Sequence, residues 1–186
     1  MNININDIKN GMTIIVEGNL CLILEFQHVK PGKGPAFVRI KLKNLRTGSI
    51  VDEKFNTNIK IERAHIEKLP MQFLYASGEN YVFMNSDTYD QTELSKNLLA
   101  DQINYIKEGL SIEILTYEGE VIGVNLPEKV EYEVISTEPA VRGNTSGNVL
   151  KEAVIETNHV VKVPLFVNAG DHIIVSTKDG KYDSRA

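Results

Sequence analysis

Along most of the chain, apolar positions recur at every second residue. In Val38-Arg39-Ile40-Lys41-Leu42-Lys43 each apolar residue alternates with a cation. A strand with this pattern buries one face and lines the other with positive charge. Val130-Glu131-Tyr132-Glu133-Val134 repeats the pattern with acids outside, and Val160–Val163 and His172–Val175 are two more β-rich runs. Turn signals separate the runs at short intervals. Glu118-Gly119 lies between Ile112–Tyr117 and Val121–Val124, and Asp179-Gly180 between Ile173–Thr177 and the last residues. Pro127, Pro139 and Pro164 fall at run ends or edges, where a missing N–H is tolerated. One segment has a helical period: Leu99, Ile103, Ile106 and Leu110 form an apolar stripe, with Asp101, Gln102 and Lys107 off it and Gly109 to end it. Many short strands and one connector helix predict an all-β chain of small barrels or sandwiches.

At 186 residues the chain has room for three barrels of about 60 residues each. Weak boundaries fit that count: Arg63–Lys68, where the charge changes sign, and Asn125–Lys129 around Pro127. With 42% hydrophobic and 24% charged residues the composition excludes an intrinsically disordered chain. The 13 Gly and 6 Pro carry no period, which excludes collagen-like material. A single cysteine, Cys21, cannot form an internal disulfide and fits a reducing compartment. Its setting in Leu20-Cys21-Leu22-Ile23-Leu24 marks it as core rather than nucleophile. No stretch approaches the roughly 18 apolar residues of a membrane helix. The first residues lack the basic and apolar blocks of a signal peptide, so no membrane is expected and the expected location is the cytoplasm.

The net charge of −5 conceals an asymmetry: residues 1–64 carry +4, residues 65–127 carry −7 and residues 128–186 carry −2. A basic first third next to an acidic middle third suggests that only part of the molecule meets an anion, the alternative being a solvated surface with chance clustering. Enzyme motifs are missing, with no G-x-x-x-x-G-K-[ST] and no G-x-S-x-G. The histidines His28, His65, His159 and His172 are scattered and have no cysteine partners, so no metal site is expected. One segment stands apart: Val29-Lys30-Pro31-Gly32-Lys33-Gly34-Pro35, between two strand-like runs. Two prolines brace the ends of this loop, and two glycines flank Lys33. The tip surmounts a strand whose outer face carries Arg39, Lys41 and Lys43, followed by Arg46. Together they read as a basic arm that follows a phosphate backbone.

The same residues carry a family resemblance. Phe26-Gln27-His28-Val29-Lys30-Pro31-Gly32-Lys33-Gly34, Ala36-Phe37-Val38-Arg39 and Leu45-Arg46-Thr47-Gly48 resemble the first domain of bacterial elongation factor P. Lys151-Glu152-Ala153, Val161–Asn168 with Gly170-Asp171, and Tyr182-Asp183-Ser184-Arg185 resemble its later signature, so the likeness spans essentially the whole chain. It implies an SH3-like (KOW-like) domain at 1–64 followed by OB-fold domains at 65–127 and 128–186, in an L-shaped, tRNA-like arrangement. It implies a non-enzymatic, monomeric translation factor that binds both ribosomal subunits beside the peptidyl-tRNA and relieves stalling at consecutive prolines. By position, Lys33, framed by Pro31, Gly32 and Gly34, reaches toward the CCA end of that tRNA and is a target for a modifying enzyme; no cofactor is implied. Lys30, Arg39, Lys41, Tyr182 and Arg185 are the implied RNA contacts, the last two at the tRNA elbow.

Departures from the family pattern are local. Gly143-Asn144-Thr145 stands where the family places a Gly-Asp-Thr loop near the exit-site codon, which removes one charge. Asn158 replaces a customary glycine, and Pro35 stiffens the loop after the tip. A competing reading is a single-stranded nucleic-acid-binding OB/SH3 module, which shares the folds and the basic strand but gives Lys33 no task. A hydrolase or transferase is a second rival, and would need a pocket of perturbed titratable groups.

Overall fold

The computed structural model describes residues 1–140 and 149–186. Gly143, Asn144 and Thr145 lie outside the described residues. The chain is nearly all-β, in three curled sheets that follow one another in sequence. The first comprises β1 (Asn2–Asn4), β2 (Thr13–Val16), β3 (Asn19–Val29), β4 (Phe37–Asn44), β5 (Ile50–Asn56) and β6 (Lys60–Arg63), ordered β1-β6-β2-β3-β4-β5. The second comprises β7 (Glu67–Ser77), β8 (Asn80–Asn85), β9 (Gln91–Ser95), β10 (Ser111–Tyr117) and β11 (Glu120–Asn125), ordered β11-β10-β7-β8-β9. The third comprises β12 (Lys129–Thr137), β13 (Leu150–Ile155), β14 (Val160–Pro164), β15 (His172–Ser176) and β16 (Tyr182–Arg185), ordered β14-β13-β12-β15-β16. By packing, the chain forms two compact units, Met1–Lys68 with Leu115–Gly123, and Leu69–Ile114 with Val124–Ala186.

The alternation read from the sequence is the alternation of burial. Val38, Ile40 and Leu42 of β4 are buried with Ile5, Ile14 and Ile23 in the first core, while Arg39 and Lys43 face outward. In the third sheet Val130, Tyr132 and Val134 are buried among Ile155, Val163 and Ile173, with Glu131 and Glu133 outside. Cys21 is buried as expected, and burial pushes its thiol pKa up, away from reactivity. The Glu118-Gly119 dipeptide has φ of 49° and 81°, the paired positive values of a type I′ hairpin turn, and it joins β10 to β11. Pro164 ends the edge strand β14, where no ladder bond is lost. Asn158 adopts φ 67° in the turn between β13 and β14, so the turn is kept without glycine.

The helix read across Leu99–Leu110 is not formed as such. A single α turn, α1 (Lys96–Leu99), capped by the Ser95 hydroxyl, runs into a 3-10 segment over Ala100–Tyr105, and the backbone is extended by Ile106. Two causes are visible within the second unit. Ala100 sits at φ 49°, which stops α propagation. The carbonyls that a helix would use are taken by side chains from the β13–β14 turn and from β12: Thr157 donates to the Asn104 carbonyl at 2.6 Å and Tyr132 to that of Tyr105. The stripe still serves burial: Leu99 and Ile106 are buried, and Leu110 packs against the third core.

Candidate nucleic-acid interface

The basic arm is the β3–β4 hairpin. The two strands pair from Cys21↔Asn44 to Val29↔Phe37, with a register shift between Ile23 and Glu25. The eight residues of β4 alone give a paired run of about 26 Å. Residues 30–36 close the hairpin. Gly34 has φ +99°, a conformation that strains any L side chain, and a Cβ at Gly32 or Gly34 would meet nothing within 4 Å. Lys33 therefore stands between two residues without side chains, neither of which is crowded by the rest of the chain. It is exposed, and among the described residues its ammonium has neither an ion-pair nor a hydrogen-bond partner. Lys30 is likewise exposed at the arm's shoulder. Pro35 packs near the tip, where Pro31, Lys33, Gly34 and Pro35 share a shallow depression with Phe37 and Lys54.

The outer face of the arm differs from the unbroken cationic row that the sequence implies. Arg39 lies 3.5 Å from Asp52 of β5, and Lys41 lies 3.3 Å from Glu25 of β3. Lys54, opposite Arg39 in register, places its ammonium 5.2 Å from the centre of the Phe37 ring. The face is an exposed lattice of alternating charge. All four ion-paired side chains are substantially solvated, so each pair is worth only about 0–1 kcal/mol and yields readily to a competing phosphate. Arg46 is engaged inside the first unit, where its guanidinium pairs with Glu120 at 3.0 Å. Among the described residues, Lys43 is the strand cation without an acid partner.

Tyr182 and Arg185 are three apart, a spacing that a regular strand sends to opposite faces. The structure brings them to one face by a register shift in β16: Tyr182 pairs with Val175 and Arg185 with Ile173, both buried core residues. Tyr182 is half-buried against the third core. Arg185 is more exposed. Its guanidinium lies 3.7 Å from the Asp171 carboxylate and 5.4 Å from the centre of the Phe166 ring. Glu25, Asp52 and Phe166 do not stand out in the sequence. The acids become visible only once β3 and β5 are aligned on β4, and Phe166 reads as an ordinary member of an apolar run.

No cluster of three or more His, Cys, Asp or Glu side chains capable of holding a metal occurs among the described residues. His159 packs edge-on against Tyr105, and His172 pairs with Glu131 at 3.0 Å. None of the described helices is long and apolar enough to cross a membrane.

Three family models match the chain in order: the elongation factor P (EF-P) KOW-like domain over residues 4–61, the elongation factor P (EF-P) OB domain over 66–124, and elongation factor P, C-terminal, over 130–185. Among solved structures, eukaryotic translation initiation factor 5A from Methanococcus jannaschii is similar at a TM-score of 0.54 and 23% identity, over 68% of this chain and 92% of that one. A translation initiation factor eif-5a family protein from Naegleria fowleri ATCC 30863 is similar at a TM-score of 0.51 and 19% identity, over 68% of this chain and 98% of that one. Both likenesses are likenesses of fold.

Proposed function

The chain belongs to the elongation factor P family of translation factors, and from that premise we propose that it binds the ribosome beside the peptidyl-tRNA and relieves stalling at consecutive prolines. The observation that carries this reading is Lys33: an exposed ammonium without a partner among the described residues, flanked by two glycines, at the end of a long paired hairpin. Neither sequence neighbour of Lys33 carries a side chain that could crowd it. Lys33 is free to enter a narrow space and to donate up to three hydrogen bonds to the CCA end. The same exposure suits it to a modifying enzyme.

Proline is a poor partner in peptide transfer because its ring restricts the backbone. Such an encounter loses rate through misplacement of the reacting groups. Holding one reactant in a reactive pose recovers several kcal/mol of barrier with no acid or base supplied by the factor. On this reading the chain is not an enzyme and needs no cofactor. It acts as a monomer in the cytoplasm, touches both ribosomal subunits, and contacts RNA through Lys30, Arg39 and Lys41 on the arm and through Tyr182 and Arg185 at the tRNA elbow.

The test is a toeprint of ribosomes translating a three-proline message, with no factor, with this protein, and with Lys33→Ala. The protein is expected to clear the stall and the variant to leave it in place, while both bind bulk RNA equally. If the unmodified protein fails, material from the native cell is compared, with the mass of the Lys33 peptide measured. Failure of that material as well overturns the reading. Equal clearance by Lys33→Ala overturns the role of the tip, and RNA binding without clearance favours a single-strand-binding module.

A further inference from the structure

Phe166 has no task in the core. The residue is 54% exposed, whereas the next, Val167, is wholly buried and donates its N–H to the Pro164 carbonyl at 3.2 Å. The turn after β14 is thus anchored by Val167 and holds Phe166 out toward solvent. The segment beyond is also pinned, since the Asp171 carboxylate accepts from the Asn168 N–H at 2.9 Å. The same carboxylate faces the Arg185 guanidinium, which lies over the Phe166 ring. The result is an aromatic ring with a guanidinium 5.4 Å from its centre, carried on two chain segments, both exposed. As a stabilising contact the pair accomplishes little, because an exposed cation–π interaction is weak. As a surface it has the chemistry that holds an unpaired nucleotide: π-faces for a base, and guanidinium N–H groups for a phosphate or ribose oxygen.

We propose that Phe166 and Arg185 form a seat for one unpaired RNA nucleotide, whose base continues the ring–guanidinium stack. This deepens the function proposed above and rests on it. It adds Phe166, a residue given no role there, and it assigns Arg185 a stacking task besides its charge. The seat reads no base identity, because every base has a π-face.

The experiment measures binding of the full chain to ribosomes carrying peptidyl-tRNA and to ribosomes without tRNA, for the wild-type protein, Phe166→Ala, Phe166→Leu and Phe166→Trp. Thermal unfolding confirms that each variant folds. Phe166→Ala and Phe166→Leu are expected to weaken binding about ten-fold or more, and Phe166→Trp to retain it. A loss confined to the tRNA-loaded ribosome places the nucleotide in tRNA, and an equal loss on both places it in ribosomal RNA; either supports the seat. Wild-type affinity in both Phe166→Ala and Phe166→Leu, with Lys33-dependent stall clearance intact, overturns the seat and leaves the proposed function standing. Wild-type affinity in Phe166→Leu alone shows apolar burial rather than stacking and overturns it too. A wild-type chain that binds neither ribosome fails at the underlying reading instead.

Discussion

Gly180 has φ +72°, and a Cβ placed on it would lie 2.5 Å from the Tyr105 hydroxyl. The β15–β16 turn therefore approaches Tyr105 more closely than any side chain allows. Gly180→Ala adds both a steric overlap and left-handed backbone strain, and is expected to lower stability by about 1–3 kcal/mol, read as a lower urea midpoint. Tyr105→Phe in that background removes the overlapping hydroxyl and should recover part of the loss. A Gly180→Ala midpoint equal to the wild type would contradict the packing described. Two residues further on, β16 is held by charge. The Lys129 ammonium lies 2.9 Å from the Asp183 carboxylate. This bond holds the Asp183 carboxyl below its ordinary range and raises the Lys129 ammonium above its own. The Asp183 contribution is present above the ordinary carboxylate pKa and is lost as pH falls through the depressed folded value. The Lys129 contribution is present below the ordinary lysine pKa and is lost as pH rises through the raised one. Asp183→Asn should therefore lower the thermal midpoint most near neutral pH, with the difference vanishing in strong acid. A difference independent of pH would show that the pair has no electrostatic part.

The arm is an element whose charge is balanced across strands, and that balance makes a prediction of its own. In the proposed function, Glu25 and Asp52, which pair with Lys41 and Arg39, would compete with RNA phosphates for them. Glu25→Gln with Asp52→Asn should raise affinity for RNA and steepen the fall of log K with log salt by up to about 2. An unchanged slope would mean that the acids do not mask the arm. The same element shows what was legible in the sequence. The buried and exposed faces of β4 follow from six consecutive residues, and the free lysine tip follows from a local run of prolines and glycines. The acids opposite β4 were not legible, because the registers of the two hairpins on either side of it, one with a bulge after Ile23, decide which residues face Arg39 and Lys41, and alternation along one strand does not state them. The shared face of Tyr182 and Arg185 was hidden for the same reason: one register shift in β16 reverses the parity that their spacing implies. The helix misled because its stripe is real but its carbonyls are claimed by Thr157 of the β13–β14 turn and Tyr132 of β12, both distant in sequence. Local chemistry was readable wherever its partners were local.

Over the whole molecule, only residues 1–64 carry a net positive charge, while the other two thirds carry a combined −9. A uniformly basic chain would bind any RNA by counterion release and would be dispersed among wrong sites. In the proposed function, repulsion from the acidic residues would leave the arm as the part that RNA attracts, and so would favour one orientation of approach. Glu67, Asp87, Asp90 and Glu108 suit a test, because all four are exposed and their carboxylates make no hydrogen bond or ion pair among the described residues. Neutralising them as Gln and Asn takes the net charge from −5 to −1 while leaving the arm, Lys33 and the cores untouched. The variant should bind polyuridylic acid more tightly than the wild type, with a steeper salt dependence. Excess polyuridylic acid should then slow its clearance of a three-proline stall more than it slows the wild type's. Equal affinity for polyuridylic acid would mean that the acidic regions supply no selectivity, and the discrimination would have to come from the shape and position of the arm alone.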